Sequence, residues 1–207
     1  MTPDKTKRSR TELREDLLDS SNQILQEEGL ENFSLNRAAD GADTSKQMIY
    51  TLFGSKNDLI KAVYDRKIKY FVEDLPNRDI EDPIERLRNF AFAYRNFIRD
   101  NFALFDMMMS LSFAKTFKDR NERVVERNEI FDFFDEAIQE AIDEGYLPER
   151  LDVESVTDSL WSAANGCLRL ELVGFFDSEE TAREHYIMTC GDVLWGRATV
   201  EPDERQP

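Results

Sequence analysis

Hydrophobic residues recur every three or four positions along most of this chain, which is the spacing of one face of an α-helix. Gly29 follows the first apolar stripe, and Ser34 and Ser55 stand where later stripes begin, as helix caps do. No stretch has the alternation of a strand, so the pattern predicts an all-α fold of about nine helices. The predicted helices cover residues 9–28, 35–41, 45–52, 56–74, 83–99, 102–114, 119–144, 153–175 and 178–198.

The second and third predicted helices and the turn at 42–44 have the features of a helix-turn-helix, a DNA-binding motif. Such helices cross closely only where a side chain is small, and Ala39 and Ala42 meet that need. Ile49 and Leu52 give the third helix an apolar inner face. Its outer face then presents side chains that suit base edges and phosphates in the major groove. These are Ser45, Lys46, Gln47 and Thr51.

The start of the fourth predicted helix offers a second contact for DNA. Ser55 and Asp58 form a Ser-x-x-Asp cap there. The first turn of a helix presents backbone N–H groups that favour anions, and Lys56 lies beside them. We therefore expect Lys56 to bind a phosphate.

The residues between Thr11 and Asp65 follow the pattern of one family. The matching positions are Glu28-Gly29, Phe33-Ser34-Leu35, Ala38-Ala39, Ala42, Ser45-Lys46, Ile49-Tyr50, Phe53, Ser55-Lys56 and Leu59-Ile60. The segment therefore resembles the N-terminal domain of the tetracycline-repressor (TetR) family of transcriptional regulators. The resemblance implies that Tyr50 and Lys56 contact phosphates. It also implies that Arg37 touches the DNA backbone and that Thr44 joins the groove-facing residues.

The sequence departs from the family pattern in the turn and at the start of the third helix. Asp43 stands where the family usually has glycine, and aspartate is one of the few residues that tolerate a left-handed backbone. Gln47-Met48 replaces the usual Gly-Thr, so we expect an altered base preference.

The charge of the chain restricts how it can bind DNA. There are 27 Lys and Arg against 43 Asp and Glu, a net charge of −16. Residues 119–207 hold 8 basic and 23 acidic residues, so 19 basic and 20 acidic residues remain in 1–118. The first fourteen residues form a locally basic arm, with Lys5, Lys7, Arg8, Arg10 and Arg14 against Asp4 and Glu12. Specific contacts, rather than bulk attraction, are therefore the expected source of affinity.

The acidic excess also suggests an environment. No lysine follows Lys118, and this composition is typical of proteins adapted to molar intracellular salt, as in halophilic archaea. An ordinary acidic protein is the alternative.

The predicted helices after residue 56 are dense in aromatic and methionine side chains, which line adaptable apolar pockets. Each one alone is more often part of a core. In the resembled family this region holds an effector pocket, so we expect a mostly apolar small ligand whose polar head group contacts Asn165 and Arg169. A surface ion pair is the alternative role for Arg169. The expected pocket residues are Tyr94, Phe105, Met108, Phe113, Phe131, Phe134, Trp161, Asn165 and Arg169.

The last two predicted helices are apolar on more than one face, so each needs two neighbours. We expect a homodimer through these helices, a four-helix bundle that sets two recognition helices about 34 Å apart on a palindromic operator. Cys167 and Cys190 lie on them and are expected to be buried thiols, with a redox switch as the alternative.

The sequence carries no pattern of catalysis or metal binding. It has no nucleophile elbow, no phosphate-binding glycine loop and no Cys-x-x-Cys pair, and His185 is its single histidine. We therefore expect no enzyme activity, no cofactor and no metal. No apolar run is long enough to cross a bilayer and no signal peptide is visible, so we expect a cytoplasmic protein without a membrane partner.

These expectations combine into one interpretation. A helix-turn-helix domain with a basic arm covers residues 1–56, a helical effector-binding and dimerisation domain covers 57–200, and 201–207 form a disordered tail. The chain is then a ligand-responsive dimeric repressor, released from a palindromic operator by a mostly apolar small molecule. The alternative is a helical small-molecule binding protein without DNA-binding activity.

Overall fold

The computed structural model describes residues 8–75, 79–118, 120 and 129–199. All regular structure in these residues is helical, which confirms the all-α prediction. Ten helices lie within them, one more than predicted. They are α1 (Arg10–Glu28), α2 (Leu35–Gly41), α3 (Lys46–Phe53), α4 (Lys56–Glu73), α5 (Pro83–Asp100), α6 (Phe102–Met108), α7 (Leu111–Lys118), α8 (Glu129–Asp143), α9 (Val153–Leu172) and α10 (Glu179–Thr199).

The additional helix arises from a break within 102–114, where the prediction of one continuous helix is wrong. Ser110 interrupts it, because its hydroxyl oxygen accepts the N–H of Phe113 at 3.2 Å and its carbonyl accepts the N–H of Ala114 at 3.0 Å. This is the arrangement of a helix N-cap. Of the predicted helix at 119–144, residues 119 and 121–128 lie outside the described residues, and α8 begins at Glu129.

The end of α9 also differs from the prediction, because the helix stops at Leu172 and not at 175. Gly174 has a φ of +73°, and the N–H of Phe175 returns to the carbonyl of Leu170 at 3.0 Å. This closure is a Schellman motif, in which the left-handed residue ends the helix.

Contacts divide the chain into two compact units. The described part of the first comprises 8–70, 101–118 and 120, and that of the second comprises 71–75, 79–100 and 129–199. Leucine and isoleucine side chains of α1, α3 and α4 fill the first core, namely Leu17, Leu18, Leu25, Ile49, Leu59 and Ile60. Large side chains of α5, α8, α9 and α10 fill the second, among them Leu87, Phe90, Tyr94, Ile98, Ile130, Ile138, Leu168 and Tyr186. The boundary at 56–57 stays a prediction, and the tail 201–207 lies outside the described residues.

Candidate nucleic-acid interface

The turn between α2 and α3 is a Schellman motif with aspartate at its left-handed position. Asp43 has a φ of +46°. The N–H of Thr44 donates to the carbonyl of Ala39 at 2.9 Å, and the N–H of Asp43 donates to the carbonyl of Asp40 at 3.1 Å. The predicted left-handed turn is confirmed, with aspartate in the place of the more usual glycine.

Small residues bring α2 close to its neighbours. Ala39 and Ala42 are each 2% exposed, in agreement with the tight crossing that the sequence predicts. A further small residue, Gly41, escaped the sequence reasoning. A Cβ atom at Gly41 would lie 2.2 Å from the hydroxyl oxygen of Ser20 on α1, so that position excludes a side chain unless Ser20 moves.

The outer face of α3 brings several predicted DNA contacts together. Ser45 is the N-cap, and its hydroxyl oxygen accepts the N–H of Met48 at 3.3 Å. Lys46, Gln47 and Thr51 are exposed, and Tyr50 is 42% exposed. Since Ile49 beneath them is fully buried, the helix is anchored on one side while its polar side faces outward.

Contacts within this exposed face restrain its side chains. The Lys46 ammonium lies 5.9 Å from the centre of the Tyr50 ring, a cation–π arrangement. The Thr51 hydroxyl donates to the carbonyl of Gln47 at 3.0 Å. Thr44 is half-buried at the entrance to the helix.

Two predicted DNA contacts, Arg37 and Lys56, bind other parts of the protein. The Arg37 guanidinium donates two hydrogen bonds to the Glu28 carboxylate, and this lowers the pKa of Glu28. The Lys56 ammonium donates to the carbonyl of Phe33 at 2.9 Å and lies 5.2 Å from the Phe33 ring centre. The DNA contacts of Arg37 and Lys56 remain predictions.

The start of α4 has the cap that the sequence predicts, with additional partners. The N–H of Asp58 donates to the Ser55 hydroxyl oxygen at 3.1 Å, and that hydroxyl donates to the Asp58 carboxylate at 2.6 Å. Arg120 donates to the same carboxylate at 2.6 and 3.0 Å, which holds the pKa of Asp58 below its ordinary value although burial opposes the shift. Asn57 donates to the Thr116 hydroxyl at 3.1 Å. These bonds join α4 to α7 and to Arg120, two positions beyond its end.

The predicted ligand residues divide between the two units. Phe105, Met108 and Phe113 are buried in the first unit, and the others belong to the second. Several of the latter form a packed aromatic cluster. The Trp161 ring lies 5.3 Å from that of Tyr94 and 4.7 Å from that of Phe131, and the Tyr94 hydroxyl donates to Asn165 at 3.1 Å. Arg169 is exposed on α9.

A cavity of about 270 Å³ opens beside this cluster, between α5, α8, α9 and α10. Phe134 is the predicted ligand residue that lines it, and among the described residues the other eight predicted positions do not. Arg88 is the one charged residue in the lining. The remaining surface is mostly apolar and includes Leu87, Leu160, Tyr186, Gly191 and Trp195.

The last helices expose apolar side chains as well as the two thiols. Leu170, Met188 and Trp195 are 42%, 63% and 45% exposed. Cys167 and Cys190 are free and half-buried, so they are less enclosed than the sequence led us to expect. Burial raises the pKa of Cys190 to about 12, with a smaller contribution from Cys167.

The described residues contain no helix that is both long and apolar enough to cross a membrane. Over the same residues, no three His, Cys, Asp or Glu side chains form a group suited to a metal ion.

A helix-turn-helix with an exposed polar recognition face, followed by a helical unit with a cavity, defines a class of DNA-binding regulators. Residues 17–63 match the family model described as bacterial regulatory proteins, tetR family. Residues 87–189 match the model described as tetracyclin repressor-like, C-terminal domain. The chain therefore belongs to the TetR family of transcriptional regulators, as its sequence predicts.

Known proteins of this kind are similar to the chain. The HTH-type transcriptional repressor Rv1353c of Mycobacterium tuberculosis is 29% identical over 95 residues, which are 46% of this chain and 36% of that protein. The match thus spans about a third of the relative's length. The structure of RolR in complex with resorcinol has a TM-score of 0.65 at 15% identity, covering 94% of this chain and 91% of RolR. FadR of Bacillus halodurans, a fatty acid degradation regulator, also has a TM-score of 0.65, at 16% identity over 93% and 98% of the two chains. At these identities the structures share the fold.

Proposed function

We propose that this protein is a dimeric transcriptional repressor that binds a palindromic operator through α3 and is released by a mostly apolar small molecule. The observation that carries the proposal is the outer face of α3, where Lys46, Gln47 and Tyr50 are exposed above the buried Ile49. Its site of action is then the cytoplasm, where the operator lies.

The α3 side chains suit distinct parts of a DNA groove. The amide of Gln47 can pair with the N6 and N7 atoms of adenine, and the Lys46 ammonium can reach guanine or a phosphate. The Tyr50 hydroxyl is suited to a phosphate oxygen, which fixes the register of the helix without reading sequence. Gln47 is therefore the proposed determinant of sequence preference.

The exposed apolar side chains of α9 and α10 support dimerisation through these helices. Leu170, Met188 and Trp195 would leave water when a second copy packs against them. Because each is already about half-buried, each would contribute roughly half of the 1.5–3 kcal/mol that full burial of a large side chain gives. A two-fold symmetric dimer carries two copies of α3, which suits an operator whose two halves form a palindrome.

The cavity in the second unit supports a small apolar effector. A cavity of about 150 Å³ holds one benzene molecule, so 270 Å³ suits a ligand of about two rings or a medium alkyl chain. Arg88 is a cationic side chain in the cavity lining and can contact a polar end group of the ligand. RolR, which shares the fold, has resorcinol, a single aromatic ring, as its ligand.

Mobility-shift titrations on a duplex selected from a random-sequence library test the DNA-binding part. We expect Lys46→Ala and Tyr50→Phe each to weaken binding by about tenfold, the equivalent of one charge-assisted hydrogen bond, without lowering the melting temperature. Lys69→Ala, an exposed lysine on α4, is the matched control. Equal affinities of the wild type and the three variants for DNA would contradict a role for α3 in DNA binding.

A substitution that fills the cavity tests the effector part. A Cβ atom at Gly191 meets no other atom within 4 Å, and the residue lines the cavity, so Gly191→Leu should occupy that space without backbone strain. We expect this variant to bind DNA but to lose the response to small aromatic and alkyl compounds that release the wild type. Gly196→Leu is the control, since Gly196 also has free space and lies outside the lining. Normal release of Gly191→Leu would place the effector elsewhere.

A further inference from the structure

We infer that Arg8 is a positioning residue that holds the α2–α3 turn in its DNA-binding geometry and does not itself contact DNA. The inference rests on the proposed function for its effect on operator binding. The geometry that supports it is a property of the free protein.

The Arg8 guanidinium makes contacts with three chain positions around the turn. One terminal nitrogen donates to the carbonyl of Ala42 at 2.9 Å and to the carboxylate of Asp16 on α1 at 2.8 Å. The other donates to the carbonyl of Asp43 at 2.7 Å. The Asp43 carboxylate lies 3.5 Å from the same group. Arg8 therefore joins α1 to two consecutive carbonyls of the turn.

This turn has a particular need for such a contact. The Schellman closure uses the N–H groups of Asp43 and Thr44 as donors. The closure itself supplies no donor to the carbonyl oxygens of Ala42 and Asp43. The turn also holds a non-glycine residue at a φ of +46°, a backbone conformation that L-amino acids adopt at a cost. The Arg8 hydrogen bonds stabilise this backbone directly at its left-handed residue.

The same contacts reduce the repulsion between the turn and DNA. The Asp43 carboxylate, next to the recognition helix, would repel phosphates if its charge were uncompensated. Arg8 supplies a positive charge 3.5 Å from this carboxylate but also pairs with Asp16 at 2.8 Å, so it offsets only part of the Asp43 charge. Arg8 is thus directed towards the protein, whereas a phosphate contact requires a cation directed outward.

Four variants separate positioning from direct contact: Arg8→Ala, Asp43→Gly, the two combined, and the arm control Arg10→Ala. If Arg8 holds the turn, Arg8→Ala weakens binding to the selected duplex about tenfold, with an unchanged dependence on KCl concentration. Glycine adopts a positive φ without strain, so Asp43→Gly should restore most of the affinity lost in Arg8→Ala, a larger gain than the same substitution gives the wild type by removing a carboxylate. Arg10→Ala removes the same charge from the arm and is expected to leave the turn unaffected.

A direct bond from Arg8 to a phosphate would give the opposite pattern. The slope of log affinity against log salt would become shallower by about 0.9 in Arg8→Ala, because one fewer phosphate is neutralised, and Asp43→Gly would raise the affinity of Arg8→Ala no more than it raises that of the wild type. Those two results together would overturn the inference.

Hydrogen exchange in the free protein gives a measurement independent of DNA. We expect Arg8→Ala, but not Arg10→Ala, to speed exchange of the Asp43 and Thr44 amides about tenfold while the melting temperature stays near that of the wild type. Unchanged exchange at these amides would contradict the inference. If the wild type selects no DNA, the proposed function fails, whereas the exchange result still decides whether Arg8 holds the turn.

Discussion

Replacing Glu171 with glutamine removes the carboxylate that faces two arginines of α5. Arg95 is only 2% exposed, and it donates to Glu171 at 2.9 and 2.5 Å. Arg99 approaches the same carboxylate at 3.3 Å and also pairs with Glu179 at the start of α10. The pair therefore connects α5 with the end of α9, and Glu171→Gln leaves the buried Arg95 charge without its main partner.

The magnitude follows from the burial of the two groups. Removing one partner of a buried ion pair costs about 3–5 kcal/mol. The Glu171 side chain is 10% exposed, and Glu179 lies 3.9 Å from Arg95 as a second partner. We therefore expect a destabilisation at the lower end of this range, about 3 kcal/mol. For a protein of this size that lowers the melting temperature by about 6–12 °C.

Urea and thermal unfolding followed by circular dichroism measure this destabilisation. Glu180→Gln is the matched control, because Glu180 is exposed on α10 and its replacement should change stability by less than about 0.5 kcal/mol. A double variant, Arg95→Met with Glu171→Leu, replaces both charges by apolar groups and should recover much of the stability. Equal stability of Glu171→Gln and Glu180→Gln would refute the reasoning.

Three further outcomes are expected. The hydrogen bond from Arg120 lowers the pKa of Asp58, so the ionised Asp58 carboxylate stabilises the fold at pH values above its ordinary pKa of 3.8. This stabilisation is lost as the pH falls through the lower pKa that Asp58 has in the folded protein. Melting curves at pH 2–7 should therefore show a weaker acid dependence for Asp58→Asn; an unchanged dependence would exclude this role. Burial raises the pKa of Cys190 to about 12, so iodoacetamide at pH 8 should label it slowly until urea unfolds the chain, as mass spectrometry can follow. Rapid labelling of the folded protein would contradict this. If the acidic composition is a salt adaptation, circular dichroism should show folding only in concentrated KCl. Full folding in dilute buffer would support the alternative interpretation, an ordinary acidic protein.

Local signals in the sequence predict the DNA-binding part well. The bounds of α2 agree with the prediction and those of α3 differ by one residue, because Ser45, the small alanines and Ile49 determine them within a few positions. The Ser55–Asp58 cap is local in the same sense and was also predicted correctly.

Contacts between distant residues could not be predicted from one sequence. Arg120 binds Asp58 across 62 positions and Arg95 binds Glu171 across 76, and no periodicity identifies such partners. Several of the aromatic residues expected to surround a ligand pack on one another, as Trp161 does on Tyr94 and Phe131. The cavity lies beside them, and of its described lining residues only Phe134 is among the predicted ligand positions.

Selection of wild-type protein on a random-sequence DNA library, with Gln47→Ala selected in parallel, tests the central claim most directly. We expect the wild type to enrich an inverted repeat whose half-sites are centred about 10 base pairs, or a multiple of that, apart. Gln47→Ala should relax the preference at one symmetric pair of positions and preserve the repeat. Failure of the wild type to enrich any inverted repeat would contradict the claim that a dimer binds DNA through the outer face of α3.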